Sequence, residues 1–192
     1  MLTGKKIVLG VSGGIAAYKM ANVASMLSKL HADIHVVMTE NATHFITPET
    51  FEVLTGNHCY TDTFDRCMEL HVPHIALGTQ ADAILIAPAS ADVVGKIANG
   101  IADDMLTTCV LPATCPVMLA PSMNVHMYEN PIVQDNMKRL ASYGYEIIEA
   151  DEGYLACRDI GKGKLPPEHV LVDYIIRACA MDKDLAGKKV LV

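Results

Sequence analysis

A chain of 192 residues, 51% of them hydrophobic, fits one domain and is long enough to bury a sizeable core. Its formal charge of −7, with no run of Lys or Arg, argues against nucleic acid or an anionic membrane as the main partner. No apolar stretch reaches the roughly 18–20 residues needed to cross a bilayer, so no membrane span is expected.

The opening MLTGKKIVLG carries two lysines, but its short, glycine-interrupted apolar run is not a signal peptide. The six cysteines, at 59, 67, 109, 115, 157 and 179, form no CxxC pair and lack zinc-finger spacing. They read as reduced thiols in a cytoplasmic protein. Eight scattered histidines include no HExxH, so no metal site is expected.

In chain order, KKIVLGV (5–11), ADIHVVM (32–38), ADAILIAPA (81–89), CPVMLAP (115–121) and YEIIEA (145–150) are short apolar runs rich in Val, Ile and Leu. Such runs suit strands covered on both faces of a parallel sheet. Helical spacing fills the gaps. In residues 15–30, Ile15, Met20, Val23, Ala24, Leu27 and Leu30 fall largely on one side. Further helices are predicted over 91–111 and 131–143, and Pro166-Pro167 opens a last one through Ala180. The alternation predicts one open α/β sheet with helices on both faces. Ligands bind such sheets beyond the carboxyl ends of the strands.

The unusual segments sit at those ends. GVSGGIAAYK (10–19) follows the first strand, and glycines there let backbone N–H groups approach a phosphate at the positive end of a helix. The spacing of Gly10, Gly13 and Gly14 is neither a P-loop nor GxGxxG, so a mononucleotide such as FMN fits better than a dinucleotide. The competing reading is glycines used only for a tight turn. MTEN (38–41) adds Thr39 and Asn41 at the same edge. Ser90, after APA, is a helix N-cap placed on the ligand side, with a phosphate or ring contact as the alternative. Neighbouring Asp103 and Asp104 point in different directions on a helix, which favours capping or subunit contacts over metal or acid–base work.

His74, just after Pro73, reads either as a packing residue or as a proton carrier facing the ligand. In APSMNVHMYENP (120–131), Asn124 offers a donor and an acceptor suited to a carboxylate or amide, with Met123 and Met127 as adaptable neighbours. GYLACRDIGKG (153–163) reads as a mobile glycine loop carrying Cys157, a poor place for a structural cysteine. LTGKKIVL (2–9) is echoed by LAGKKVLV (185–192), either by chance or because a second α/β domain begins there.

Taken in order, VSGGIAAYK, APASA with KIANGIADDML, PSMNVHMYENP and ACRDIGKGKL resemble the motifs of the flavin-dependent cysteine decarboxylases over nearly the whole chain. The resemblance implies a Rossmann-like, flavodoxin-like domain over residues 1–180. Residues 181–192 would be a linker and the start of a truncated ligase domain, a phosphopantothenate–cysteine ligase. It implies FMN held by Gly13, Gly14, Ile15, Thr39, Ser90, Ala91, Asp92, Val93 and Ser122. Catalytic roles fall on Cys157 as acid on a substrate clamp, on His74, and on Asn124 as the carboxylate contact. Met127 and Ala156 lie beside the substrate, expected to be phosphopantothenoylcysteine. The implied assembly is a trimer, or a dodecamer of trimers, with flavin between subunits. The common clamp ACGxxGxGR reads ACRDIGKGK here, so Arg158 replaces a glycine and Lys164 an arginine; the usual A-N-T reads Ala91-Asp92-Val93. Three other readings share features with this one: a peptidyl-cysteine decarboxylase, a flavin prenyltransferase without the Cys157 clamp, and a non-catalytic FMN-binding regulator.

Overall fold

The computed structural model describes residues 1–64, 73–154 and 159–180. The five expected strands form as β1 (Lys6–Val11), β2 (Asp33–Met38), β4 (Ala83–Ala89), β5 (Val117–Pro121) and β6 (Glu146–Ile147), joined by β3 (Cys59–Tyr60). All pair in parallel, in the order β3-β2-β1-β4-β5-β6. With β3 counted, this is the Rossmann order; without that two-residue strand, it is the flavodoxin order.

Alternate residues of each strand feed two separate cores. Ile7, Leu9, Leu85 and Met118 pack against Met20, Val23 and Leu27 of α1 (Met20–Lys29) and Leu171 and Ile175 of α8 (Glu168–Cys179). Val8, Ile84, Ile86 and Leu119 face the opposite layer. That layer comprises α3 (Pro73–Gln80), α4 (Ala91–Ala98), α5 (Met105–Val110), the short α6 (Val125–Tyr128) and α7 (Pro131–Ser142). Every residue of β4 and β5 is buried, as a central strand covered on both faces requires.

Four expectations are corrected. The helix expected over 15–30 opens as a 3-10 turn, Ile15–Lys19, before α1 begins, because Gly14 supplies no side-chain cap. Ile15, assigned to the core-facing side, is 58% exposed as a result. The helix expected over 91–111 is two helices, split where Gly100 adopts a left-handed φ of 68° and Asp104 starts α5 with a capping box to Thr107. The glycine loop 153–163 is in part a ribbon of two antiparallel strands, β7 (Asp151–Tyr154) and β8 (Ile160–Lys164). The strand expected over 145–150 shrinks to β6. Helix α2 (Pro48–Thr55) was not foreseen, although Thr47-Pro48-Glu49 carries an amino-terminal helix signature.

The break between α4 and α5 is held electrostatically. Lys96 Nζ meets Asp103 at 3.0 Å and Asp92 and Asp104 at 3.4 Å each. Partial burial works against the ammonium charge, but the Asp103 hydrogen bond and the other two carboxylates outweigh it and hold its pKa above the ordinary value. Asp104 thus does two jobs, since its Oδ1 also accepts from Thr107 N at 2.8 Å. Asp104→Ala is expected to cost about 1 kcal/mol through the lost cap. Thermal unfolding should show a midpoint about 2–4 °C lower.

Candidate functional site

The strand order reverses between β1 and β4, and the loops leaving their carboxyl ends diverge there. Ser12, fully buried, ties the two together: its Oγ donates to Pro88 O at 2.7 Å and accepts from Ser90 N at 2.9 Å. One loop then carries Gly13 and Gly14. The other carries Ser90, whose side chain accepts from Val93 N at 3.3 Å as the N-cap of α4. Both loops line a cavity of about 480 Å³.

Among the described residues, the cavity brings together Gly13, Gly14, Ile15, Ser90, Ala91, Ser122, Asn124 and Met127 from the expected set. Ser122 and Asn124 follow β5, and Ser122 N donates to Ala89 O at 3.1 Å, holding that turn beside the Ser90 loop. The ribbon closes another side through Tyr154, Gly163 and Lys164. Its docking depends on Gly163, where Met123 N donates to Gly163 O at 3.0 Å. A Cβ on Gly163 would lie 2.4 Å from Met123 O, so a glycine is needed for close approach within a strand.

The remaining expected residues are placed differently. Thr39 follows β2, and its hydroxyl is buried without a hydrogen-bond partner among the described residues. Its backbone N donates to Val11 O at 3.0 Å, next to the glycine turn, yet Thr39 does not line the cavity. Asp92 turns to Lys96, and the Val93 side chain enters the core; neither lines the cavity. His74 sits in the first turn of α3 with its Nδ1 buried and without a hydrogen-bond partner among the described residues, also outside the lining. Cys157, Ala156 and Arg158 lie outside the described residues.

Sequence reasoning missed Tyr18, Lys19 and Tyr154 as lining residues. A 3-10 turn stacks positions i and i+3, so Ile15 and Tyr18 share the face toward the cavity. An α-helical reading hid that signal. Lys19 and Lys164 have no ion-pair partner among the described residues, which gives an acidic protein a cavity with two available cations. The glycines at the strand end, the amino end of α4 beyond its Ser90 cap, and Lys19 and Lys164 together suit a phosphate-bearing planar ligand. Gly13 abuts Asn41, so a Cβ there would lie 2.5 Å from Asn41 Cβ.

The described thiols are poor nucleophiles. Burial, with Glu52 and Glu49 nearby, pushes Cys59 up to about 12. Burial does the same to Cys109, with Cys115 close by. Among the described residues, no group of three or more His, Cys, Asp or Glu is placed to hold a metal ion, and no helix is long and apolar enough to cross a membrane.

An open parallel sheet with a phosphate-suited crevice at its switch point defines a nucleotide-binding α/β protein. The chain belongs to the family described as Flavoprotein, whose pattern matches residues 1–180. It is 49% identical over 172 residues to the coenzyme A biosynthesis bifunctional protein CoaBC of Bacillus subtilis (strain 168), covering 89% of this chain and 42% of the relative. The chain therefore spans less than half the length of that relative. Among solved structures it is similar to the FMN-dependent cysteine decarboxylase SpaF, at 34% identity and TM-score 0.77, over 91% of this chain and 99% of that one. It is also similar to a PPC decarboxylase mutant complexed with pantothenoylaminoethenethiol, at 29% identity and TM-score 0.80, over 89% and 96%.

Ser12→Ala would remove both side-chain bonds that tie the two crevice loops, leaving the longer backbone bond from Ser12 N to Pro88 O at 3.3 Å. The Ser90 N–H would lose its acceptor at a fully buried side chain, a cost of roughly 1–3 kcal/mol. Urea unfolding is expected to show a lower midpoint with an unchanged slope.

Proposed function

We propose that this chain is a cytoplasmic FMN-dependent decarboxylase that converts 4′-phosphopantothenoylcysteine to 4′-phosphopantetheine in coenzyme A biosynthesis. The observation that carries the reading is the switch-point cavity, where the Gly13-Gly14 turn, the Ser90 cap and the amide of Asn124 converge. The similarity to CoaBC and to PPC decarboxylase supports the substrate.

Direct loss of carbon dioxide from a cysteinyl carboxylate would leave an electron pair on a carbon with nothing to accept it. Flavin, when bound, would supply a reversible two-electron oxidation of the substrate's CH2–SH unit, so that the adjoining carbon could accept the pair left by carbon dioxide. The chain's own groups bind, orient and protonate. Gly13, Gly14, Ile15, Thr39, Ser90, Ala91, Asp92, Val93 and Ser122 are the proposed flavin contacts. Asp92 and Val93 can serve only through the backbone, since their side chains turn elsewhere. Lys19 and Lys164 suit an anionic ligand group such as a phosphate. Asn124 takes the substrate carboxylate, Met127 and Ala156 flank the substrate, and His74 orients it or handles a proton. Cys157 donates the proton that returns the enethiolate to the saturated thiol.

We further propose that residues 1–180 form the decarboxylase domain, that 181–192 lead into a fused phosphopantothenate–cysteine ligase, and that the protein forms trimers or a dodecamer of trimers. Half-exposed Ile15, Tyr18 and Met127 at the cavity favour a second subunit beside the flavin. Light scattering of the purified protein checks the assembly.

The purified protein is expected to be yellow, with an FMN spectrum, and to release carbon dioxide from phosphopantothenoylcysteine much faster than from a cysteine-ended peptide. Colourless protein that cannot be reconstituted with FMN would sink the reading. Gly13→Ala is expected to weaken FMN retention at least about tenfold, because the new methyl must separate the turn from Asn41. The flavin-to-protein absorbance ratio measures it. Cys157→Ser should release carbon dioxide but accumulate the unsaturated thiol; full conversion to the saturated product would remove Cys157 from the acid role.

A further inference from the structure

The amide of Asn124 is fixed at both ends. Its Oδ1 accepts from His126 N at 2.8 Å and so caps the short helix Val125–Tyr128. That bond orients the group, leaving the NH2 end to reach outward. Its Nδ2 donates to Asp159 Oδ2 at 2.8 Å, in partly buried surroundings. Asp159 stands immediately before β8. A carboxylate of the chain itself therefore sits on the donor that, in the function proposed above, receives the carboxylate of the substrate.

We propose that Asp159 is an internal stand-in for the substrate carboxylate. It yields Asn124 when a carboxylate ligand binds and reclaims it once that group has left as carbon dioxide. The inference rests on the role given to Asn124 under Proposed function.

The physical case is one of like for like. An amide N–H bonds an ionised acceptor more strongly than a neutral one, and a buried donor left unpaired is costly. Asp159 serves as the acceptor for Asn124 Nδ2 while no ligand carboxylate is present. The NH2 carries two N–H groups, but two carboxylates gathered at one nitrogen repel each other, so binding of one disfavours the other. The released Asp159 is only partly buried, so water can solvate it and displacement is not prohibitive. Decarboxylation then removes the very group that kept Asp159 away. The product has nothing with which to compete for Asn124, and the equilibrium moves toward release. A ligand shifts such an equilibrium only by its differential affinity, and the internal competitor lowers the apparent affinity of carboxylate ligands alone.

The test uses the flavin-loaded full chain and two unreactive ligands in which a hydroxyl replaces the thiol, so that oxidation is blocked. 4′-Phosphopantothenoylserine keeps the carboxylate; 4′-phosphopantothenoylethanolamine lacks it. Asp159→Ala is expected to tighten the first by about fivefold and to leave the second within about twofold, with Asp159→Asn in between. A purely structural Asp159 would shift both ligands alike, and that result, or weaker binding of the serine ligand, overturns the proposal. Acetate offers an arm that does not depend on the substrate assignment. In ¹⁵N spectra, the side-chain NH2 signals of Asn124, assigned through Asn124→Asp, should respond to acetate at about fivefold lower concentration in Asp159→Ala than in the unaltered protein. Equal responses overturn the stand-in. If the acetate difference holds while neither pantothenoyl ligand binds, Asp159 keeps its role and the substrate reading fails. Retained yellow colour in both Asp159 variants shows that they fold.

Discussion

A single buried hydroxyl determines where this protein can act. A doubly wound parallel sheet opens a crevice wherever its winding changes direction, but an open crevice has no fixed width. Ser12 sets that width by bonding to the carbonyl of Pro88 and the N–H of Ser90 at once. The glycine turn after β1 and the helix start after β4 become one rigid rim. Everything else in the site is placed relative to it, including the β5 turn, which is tied to Ala89 through Ser122.

The rim also separates two electrostatic regimes. The chain as a whole is acidic, and Lys96 gathers three aspartates, Asp92 from the first turn of α4 and Asp103 and Asp104 from the segment beyond its far end. Toward the cavity, the amino end of α4, Lys19 and Lys164 face the opposite way in charge. A cavity with such a bias inside an acidic protein favours anionic ligands by contrast with its surroundings.

Much of this was legible in the sequence, for definite reasons. Apolar runs such as AILIAPA can satisfy both faces only inside a parallel sheet, so the layer order followed from them. Gly13, Ser90 and Asn124 could be singled out because strand ends collect ligands. The misreadings are equally physical. Ile15 fits an α-helical stripe by spacing, yet the chain winds more tightly there and turns it outward. Gly153 and Gly163 read in sequence as a mobile loop, whereas Gly163 admits the backbone of Met123 to a ribbon strand. Thr39 and His74 stand out in the sequence only by place, one at a strand end and one after Pro73, and no local pattern tells that each holds a buried polar atom without a partner among the described residues. The pairing of Asn124 with Asp159 spans 35 positions of chain and has no local signature at all.

Both margins of the sheet end in strands of only two residues, Cys59–Tyr60 on one side and Glu146–Ile147 on the other. Few unpaired backbone groups are therefore offered for another chain to extend the sheet. A second chain meeting this sheet would do so through side chains on helices and turns instead. Its contacts can then be specific to sequence and geometry, in contrast to the promiscuous backbone pairing that drives fibrils.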